Sequence, residues 1–383
     1  MLKLRGKPKN LVAPLLGRVS FSSVKRRERS RTILVNPRLS ARDLRDYLAV
    51  ITAEKDIRRV KNDSIRIIYA TENADRLCSG DVVELLPTGS INVHYQIHSN
   101  DNVIFVTSRC NCKCIMCPQP ADINERSLLD LNLALVSLID KSTQELALTG
   151  GEPTVVGEDL FRLILACKHF LPNTSLLLLT NGMKFEDYEY TRFFSSLKHP
   201  KLTVGVSLYG DNNIEHDFIV ALKGAFNKTI RGVINLATFG NPIEVRIVIH
   251  RFTYQRLPRI AEFIYRNMTF VKHIAFMGLE TIWRARENLR ILWVEPNEII
   301  PYLDEAIHYL RQRRMKVSIY NIPLCLLPDH LWDHARKSIS GWKRFYHLEC
   351  ESCREKERCS GVFTSGRKVF KQYISPIQNS SPN

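Results

Sequence analysis

After Asn102 the chain switches its hydrophobic period repeatedly. Short runs rich in leucine and β-branched residues alternate with stretches whose apolar residues recur every three or four positions, and this alternation predicts βα units around a parallel sheet. Strands are expected at "NVIFVT", "ELALT", "TSLLLLT", "LTVGVSL", "IEVRIVIH" and "KHIAFMG". Helices are expected at "ERSLLDLNLALVSLIDK", "EDLFRLILACKHF", "YEYTRFFSSL", "KGAFNKTIRGVINLAT" and "LPRIAEFIYRNM". Six strands with five intervening helices make this an α/β chain with a partial (βα)6 barrel in preference to a closed eight-fold one.

The flanks read differently. Upstream, "ARDLRDYLAVITA" predicts a helix, and "DVVELLPTGSINVHYQ" predicts two strands about a Pro-Thr-Gly turn. Residues 1–100 are therefore expected to form a basic N-terminal arm and a small α+β module, with the barrel over 101–283. Residues 284–383 form a C-terminal extension: a helix at "NEIIPYLDEAIHYLRQRR", a strand at "KVSIY", and a loop-rich remainder whose sparse periodicity calls for a staple.

Composition adds an address and a charge. The 383 residues are 44% hydrophobic and 25% charged, ordinary globular values. No window reaches the roughly 18 apolar residues of a membrane span, and "LVAPLL" is too short for a signal-peptide core, so a cytoplasmic protein without membrane partners is expected. Net charge is +16, and the first thirty-two residues carry ten Lys and Arg against Glu28 alone. Such an arm suits nucleic acid, an acidic peptide or an acidic protein, but also fits a solvated tail or, weakly, an organelle transit peptide.

Cysteine placement brings in chemistry. Ten cysteines in a cytoplasmic chain read as metal ligands or reactive thiols more readily than as disulfides. Cys78 and Cys167 stand alone, and Cys167, on the apolar stripe of "EDLFRLILACKHF", reads as a small buried hydrophobe. Cys110, Cys112, Cys114 and Cys117 crowd into "TSRCNCKCIMCPQP", directly after the first strand of the βα series. Loops at the C-terminal ends of parallel strands are where such folds build sites. In the spacing Cys-x3-Cys-x2-Cys, Cys110, Cys114 and Cys117 can bind three irons of a [4Fe–4S] cluster and leave the fourth iron open. A zinc ion with Cys112 as fourth ligand is the competing reading of that spacing. The second strand then runs into "TGGEPT", where Gly150 and Gly151 allow close backbone approach, Glu152 offers a carboxylate and Pro153 sets the exit.

Taken together, these two motifs resemble the radical S-adenosylmethionine (SAM) enzymes. The resemblance implies a [4Fe–4S] cluster on Cys110, Cys114 and Cys117, with the amino and carboxylate groups of SAM on the open iron. It implies that Gly150, Gly151 and Glu152 contact the methionine amino group, that Ser207 matches the ribose and carboxylate position, and that Thr180 and Asn181 close the third strand beside the cofactor. One electron then cleaves SAM, and a 5′-deoxyadenosyl radical takes a hydrogen atom from the substrate. Met116 stands where the superfamily often has an aromatic residue and can pack on adenine as a polarizable side chain, while "SLYG" replaces a frequent "SLDG", putting Tyr209 in place of an acid.

Cys325, Cys350, Cys353 and Cys359 form a second group that suits zinc or an auxiliary iron–sulfur cluster, and the resemblance to peptide-modifying members favours a second [4Fe–4S] cluster. The runs "CIMCPQP", "LTGGEPTVVGEDLFRLI" and "VSIYNIPLCLLPDHLW", with others between them, look like the His-Xaa-Ser system radical SAM maturase, C-type. That likeness implies peptide maturation: post-translational modification of a ribosomally made peptide or protein precursor with His-Xaa-Ser repeats, a companion radical SAM maturase and a reducing electron donor. Competing readings are a radical SAM enzyme acting on tRNA or nucleotides, motivated by the basic charge, and a non-enzymatic zinc protein binding nucleic acid.

No catalytic residue beyond the cluster is legible. His216 with Asp217, His250 and His273 are candidates that also fit satisfied polar positions. Arg246 would hold a SAM carboxylate if its strand register points it inward. Trp283 and Trp293 are expected to pack between barrel and tail.

Overall fold

The computed structural model describes residues 2–35, 44, 46–58, 64–119, 122 and 125–378. They group into two compact units. The first comprises Met1–Ile104, Ser127–Ala147 and Arg162–Ser175; the second comprises Phe105–Arg126, Leu148–Phe161 and Leu176–Asn383.

The first unit is built on β1 (Lys3–Arg5), β2 (Lys7–Lys9), β3 (Leu15–Ser20), the short α1 (Arg26–Arg29), β4 (Thr32–Val35), β5 (Ala49–Ile51), β6 (Ile67–Tyr69), β7 (Val82–Leu85) and β8 (Ser90–Tyr95). The sheet runs β1-β8-β7-β3-β4-β5-β6-β2. β1 and β2, separated only by Gly6, take the two outer places, so one short stretch of chain covers both edges and the sheet has to curl to bring them together. At that junction Gly6 N–H donates to the Gly89 carbonyl at 2.9 Å. Val19, Ile33, Ile51, Val83, Leu85 and Ile91 fill the interior. The expected hairpin is present, with Leu86 N–H donating to Ser90 O and Gly89 N–H to Leu86 O. α2 (Leu129–Leu138) adds to this unit through Arg18 Nε, which donates to Leu138 O at 3.1 Å.

Two expectations change here. The basic N-terminus is not a free arm, because Lys3–Arg5 and Lys7–Lys9 are paired strands. The helix expected over "ARDLRDYLAVITA" gives way at Ala49–Ile51 to a strand between β4 and β6. All three residues of that strand are buried, and the pairing of a β-branched run overrides its helical period. The beginning of the expected helix, at 41–43 and 45, lies outside the described residues.

The second sheet takes β9 (Val103–Thr107), β10 (Glu145–Gly150), β11 (Ser175–Thr180), β12 (Leu202–Ser207), β13 (Ile243–Ile249) and β14 (His273–Gly278) in chain order and continues into β15 (Val317–Tyr320) and the two-residue β16 (Ala335–Arg336). From β11 to β16 every pair is parallel. The intervening helices are α3 (Glu158–Phe170), α4 (Tyr188–Ser196), α5 (Asn213–Val220), α6 (Ala225–Thr238) and α7 (Leu257–Asn267), followed by α8 (Trp283–Glu287), α9 (Leu289–Leu292) and α10 (Pro296–Gln312). α5 escaped the periodic pattern because Ile214 and Phe218 face solvent, which leaves no clean apolar stripe. Trp293 packs on Phe370 at 5.2 Å between centroids, as expected of it. Trp283 does not pack: it lies 55% exposed at φ 47°, in the left-handed region a bulky residue avoids. Among the described residues no helix is long and apolar enough to cross a membrane.

Gly89→Ala tests the closure of the first sheet. A methyl at φ +83° would stand 2.1 Å from the Gly6 carbonyl oxygen. The left-handed penalty alone is about 1–2 kcal/mol, so the variant is expected to melt several degrees lower by circular dichroism. An unchanged melting temperature would show that the edges are not held at this point.

Candidate active site

The site is assembled where β9, β10, β11 and β12 end. Gly151 N–H donates to Thr107 O at 2.7 Å and Glu152 N–H to Arg109 O at 2.9 Å, so the end of β10 lies against the root of the cysteine loop. A Cβ on Gly150 would sit 2.2 Å from Thr107 O, and one on Gly151 2.4 Å from Arg109 O. This backbone approach is what requires glycine at both positions. On the other side of the loop root, Glu125 Oε2 accepts from Thr107 Oγ1 and Ser108 N–H, each at 2.6 Å.

Glu152 is buried, and its two oxygens take four hydrogen bonds. Oε1 accepts from Thr154 N–H at 3.0 Å, Thr154 Oγ1 at 2.7 Å and Thr180 Oγ1 at 2.7 Å; Oε2 accepts from Asn181 N–H at 2.6 Å. Burial pushes the carboxyl above its ordinary range, and these donors pull it back. Pro153 opens the 3-10 turn Pro153–Val156 that carries Thr154. Asn181 completes the connection: its Nδ2 donates to Asn111 Oδ1 at 2.7 Å and points at Cys112 Sγ at 3.8 Å. The same carboxylate therefore links β10 to β11, and Asn181 links β11 to the cysteine loop.

On that loop Cys110, Cys114 and Cys117 are partly exposed, while Cys112 is buried among Met183, Val220 and Ala225. The Cys112 thiol hydrogen-bonds toward Cys110 and Cys114, which drives its own pKa up and Cys110 down. Burial raises Cys117, against a smaller pull from Arg284. The loop backbone is pinned by Lys113 N–H to Val220 O, Ile115 N–H to Ile219 O, and Asn288 Nδ2 to Ile115 O at 2.8 Å. Met116 is buried with Ile219, Leu279, Ala285 and Leu292. Three partly exposed thiols on one braced loop fit a three-thiolate iron–sulfur set. Among the described residues no three His, Cys, Asp or Glu side chains surround one point as a single-ion site demands.

The Tyr209 hydroxyl, beside Ser207 at the end of β12 and near Cys114 and Cys117, is raised chiefly by burial. Ser207 pairs in register with Arg246. Arg246 is already engaged: its Nη1 is ion-paired with Glu244, and its guanidinium lies 5.7 Å from the centroid of the Tyr320 ring. Glu244 also takes His273 Nδ1 at 2.7 Å, and His273 Nε2 meets Ser318 Oγ at 2.9 Å. His216 Nδ1 accepts Tyr209 N–H at 3.2 Å, and Asp217 accepts Gly224 N–H at 2.5 Å and Phe226 N–H at 2.8 Å ahead of α6, so this pair is structural. His250 Nδ1 accepts Phe252 N–H at 3.2 Å. Glu125, Asn111, Glu244 and Asn288 gave no sequence signal, since each has a partner 18 or more residues distant.

The second cysteine group converges. Cys325, in the turn Leu324–Leu326 after β15, and Cys350, Cys353 and Cys359, around the hairpin of β17 (Arg344–Phe345) and β18 (Val362–Phe363), line one cavity of about 20 Å³. Cys167 is fully buried, its thiol pushed up to about 12, as a structural cysteine should be.

Three variants probe this arrangement. Thr180→Val removes one donor from a buried carboxylate and should cost about 1–3 kcal/mol, read as a lower denaturation midpoint and a lowered iron content after reconstitution; wild-type values for both would show that Thr180 holds nothing. Cys112→Ser should keep three ligands and therefore the iron of the loop cluster, and a lost cluster would reassign the thiols. Burial depresses His216 to about 4 and His250 to about 3, from 6.5. Their contribution is complete above about pH 6.5 and is lost as pH falls toward 4 and 3, because the unfolded chain takes up those protons first. His216→Phe should flatten the pH dependence of thermal unfolding in that window; an unchanged slope would count against it.

Residues 104–264 match the family model described as the Radical SAM superfamily. The PqqA peptide cyclase of Granulibacter bethesdensis is 23% identical over 254 residues, 62% of this chain and 62% of that protein. The GTP 3′,8-cyclase of Peptoclostridium acidaminophilum is 28% identical over 157 residues, 38% of this chain and 45% of that protein. Among solved structures, Streptococcus suis SuiB bound to precursor peptide SuiA aligns at TM-score 0.46 and 17% identity, covering 57% of this chain and 47% of that one. The chain spans 39 to 68% of the length of the curated relatives it matches. The cysteine loop and the Gly-Gly-Glu strand end both lie inside the segment, residues 104–264, that matches the Radical SAM superfamily model.

Proposed function

We propose that this chain is a peptide-modifying radical SAM enzyme: it reductively cleaves SAM at a cluster on Cys110, Cys114 and Cys117 and modifies a ribosomally made peptide or protein, with a His-Xaa-Ser repeat precursor as the substrate. The observation that carries the reading is the partly exposed three-thiol loop clamped against the Gly150-Gly151-Glu152 strand end. When bound there, a [4Fe–4S] cluster supplies the electron for SAM cleavage and an open iron for SAM. The chain's own part is to hold and shield. Glu152 orders the strand ends, Met116 and its apolar neighbours keep water from one side of the loop, and Ser207 and Tyr209 present hydroxyls beside it. The second sheet would then curl as a partial barrel around the substrate. The curated peptide cyclase among the relatives supports a peptide substrate.

On this reading the second cysteine group is a C-terminal auxiliary [4Fe–4S] site. Two of its four thiols have backbone donors, with Leu324 and Gly361 N–H each 3.4 Å from Cys359 Sγ and Ile377 N–H 3.4 Å from Cys353 Sγ. Amide donors aimed at sulfur favour thiolate over thiol, which a cluster needs.

A nucleotide substrate is the second reading, favoured by the curated GTP cyclase relative and the +16 charge. One experiment separates them. Anaerobically reconstituted protein with SAM and dithionite, given a co-expressed His-Xaa-Ser precursor, should change that precursor's mass, and Cys114→Ala should abolish the change. No mass change in the precursor, together with turnover of GTP, would move the assignment to nucleotides.

A further inference from the structure

The cavity of the four C-terminal cysteines contains a fifth polar group. His347 lines it beside Cys325, Cys350, Cys353 and Cys359. Its ring is buried, 8% exposed, and Nε2 has no hydrogen-bond partner. A polar atom left in that state costs about 1–3 kcal/mol, and proteins rarely leave one without a use. The ring is held in place: it packs edge-on against Phe345 at 4.9 Å and 90°. Its backbone is tied to the same ligand turn, because Cys350 N–H donates to His347 O at 3.0 Å.

Two other polar side chains of the cavity wall are already used. The Tyr346 hydroxyl donates to Cys359 O at 2.9 Å. Lys356 Nζ pairs with Glu351 at 2.7 Å and lies 5.6 Å from the centroid of the Tyr346 ring. The Cys359 and Cys353 sulfurs likewise have backbone donors, from Leu324 and Gly361 and from Ile377. His347 Nε2 is therefore a buried side-chain nitrogen without a partner in a cavity that four cysteines also line.

We propose that His347 is a positioning and tuning residue of the auxiliary site, its Nε2–H donating a hydrogen bond to a sulfur of the iron–sulfur cluster held by Cys325, Cys350, Cys353 and Cys359. This rests on the auxiliary-cluster reading above. Four thiolates already satisfy four irons, so the imidazole is a donor and not a fifth ligand. An N–H dipole aimed at cluster sulfur stabilises the more negative, reduced form and so raises the reduction potential.

The test uses the full chain with Cys110, Cys114 and Cys117 all changed to Ala, so that the auxiliary cluster alone is titrated. Anaerobic reconstitution should then give about four irons per chain, and the further change of Cys350 and Cys353 to Ser should remove them. If the iron stays, the cluster reading itself fails and the proposal with it. In the iron-retaining parent, a potentiometric titration followed by electron paramagnetic resonance should give a lower midpoint for His347→Phe at unchanged iron content. His347→Gln, which keeps an N–H donor, should recover part of the shift. Equal midpoints for parent and His347→Phe would overturn the hydrogen bond. Loss of iron from His347→Phe and His347→Gln alike would overturn it in favour of a ligand role.

Discussion

Everything at the candidate site depends on one buried carboxylate. Glu152 lies where three strand ends meet, and its four donors come from the turn after β10 and from the end of β11. An ionised carboxylate in an apolar setting is unstable unless its oxygens are filled, and here both are. Its own backbone N–H reaches across to Arg109 O at the root of the cysteine loop. The side chain thus converts the cost of its burial into alignment of the elements that hold three thiols at one end of the sheet.

Near that anchor several polar groups of the second unit are paired with one another. Arg246, Glu244, His273 and Ser318 form a chain across β13, β14 and β15, with Tyr320 over the guanidinium. Such a network suits a low-dielectric surface, since each charge has its partner before any ligand arrives. Next to the cysteine loop the surroundings become apolar, with Met116, Ile219 and Leu279 buried together.

The two cysteine groups differ in how their thiols are supported. In the first, a buried thiol, Cys112, hydrogen-bonds its neighbours and biases Cys110 toward thiolate. In the second, backbone amides do the same work from turns that follow β15 and surround the β17–β18 hairpin. Both devices address one problem: several sulfurs brought close together repel as thiolates and need local donors.

Periodicity and spacing carried much of this in advance. The strands β9 to β14 lie where alternating runs placed them, because a parallel strand buried on both faces is a local property of four to eight residues. The cysteine spacing and "TGGEPT" pointed to the chemistry, because ligand loops and glycine-rich approaches are also short-range. What the sequence by itself could not determine was settled by distant pairing. Lys3–Arg5 and Lys7–Lys9 look like a charged tail until β8 and β6 supply their partners, and Ala49–Ile51 reads as helix until β4 and β6 flank it. Glu152 reads as a ligand contact until Thr180 and Asn181 fill its oxygens, and His347 is unremarkable until the fold sets it beside four cysteines. Local sequence determines which residues can do the chemistry; only the tertiary structure decides which of their polar atoms are already used, because hydrogen-bond satisfaction is a property of neighbours in space.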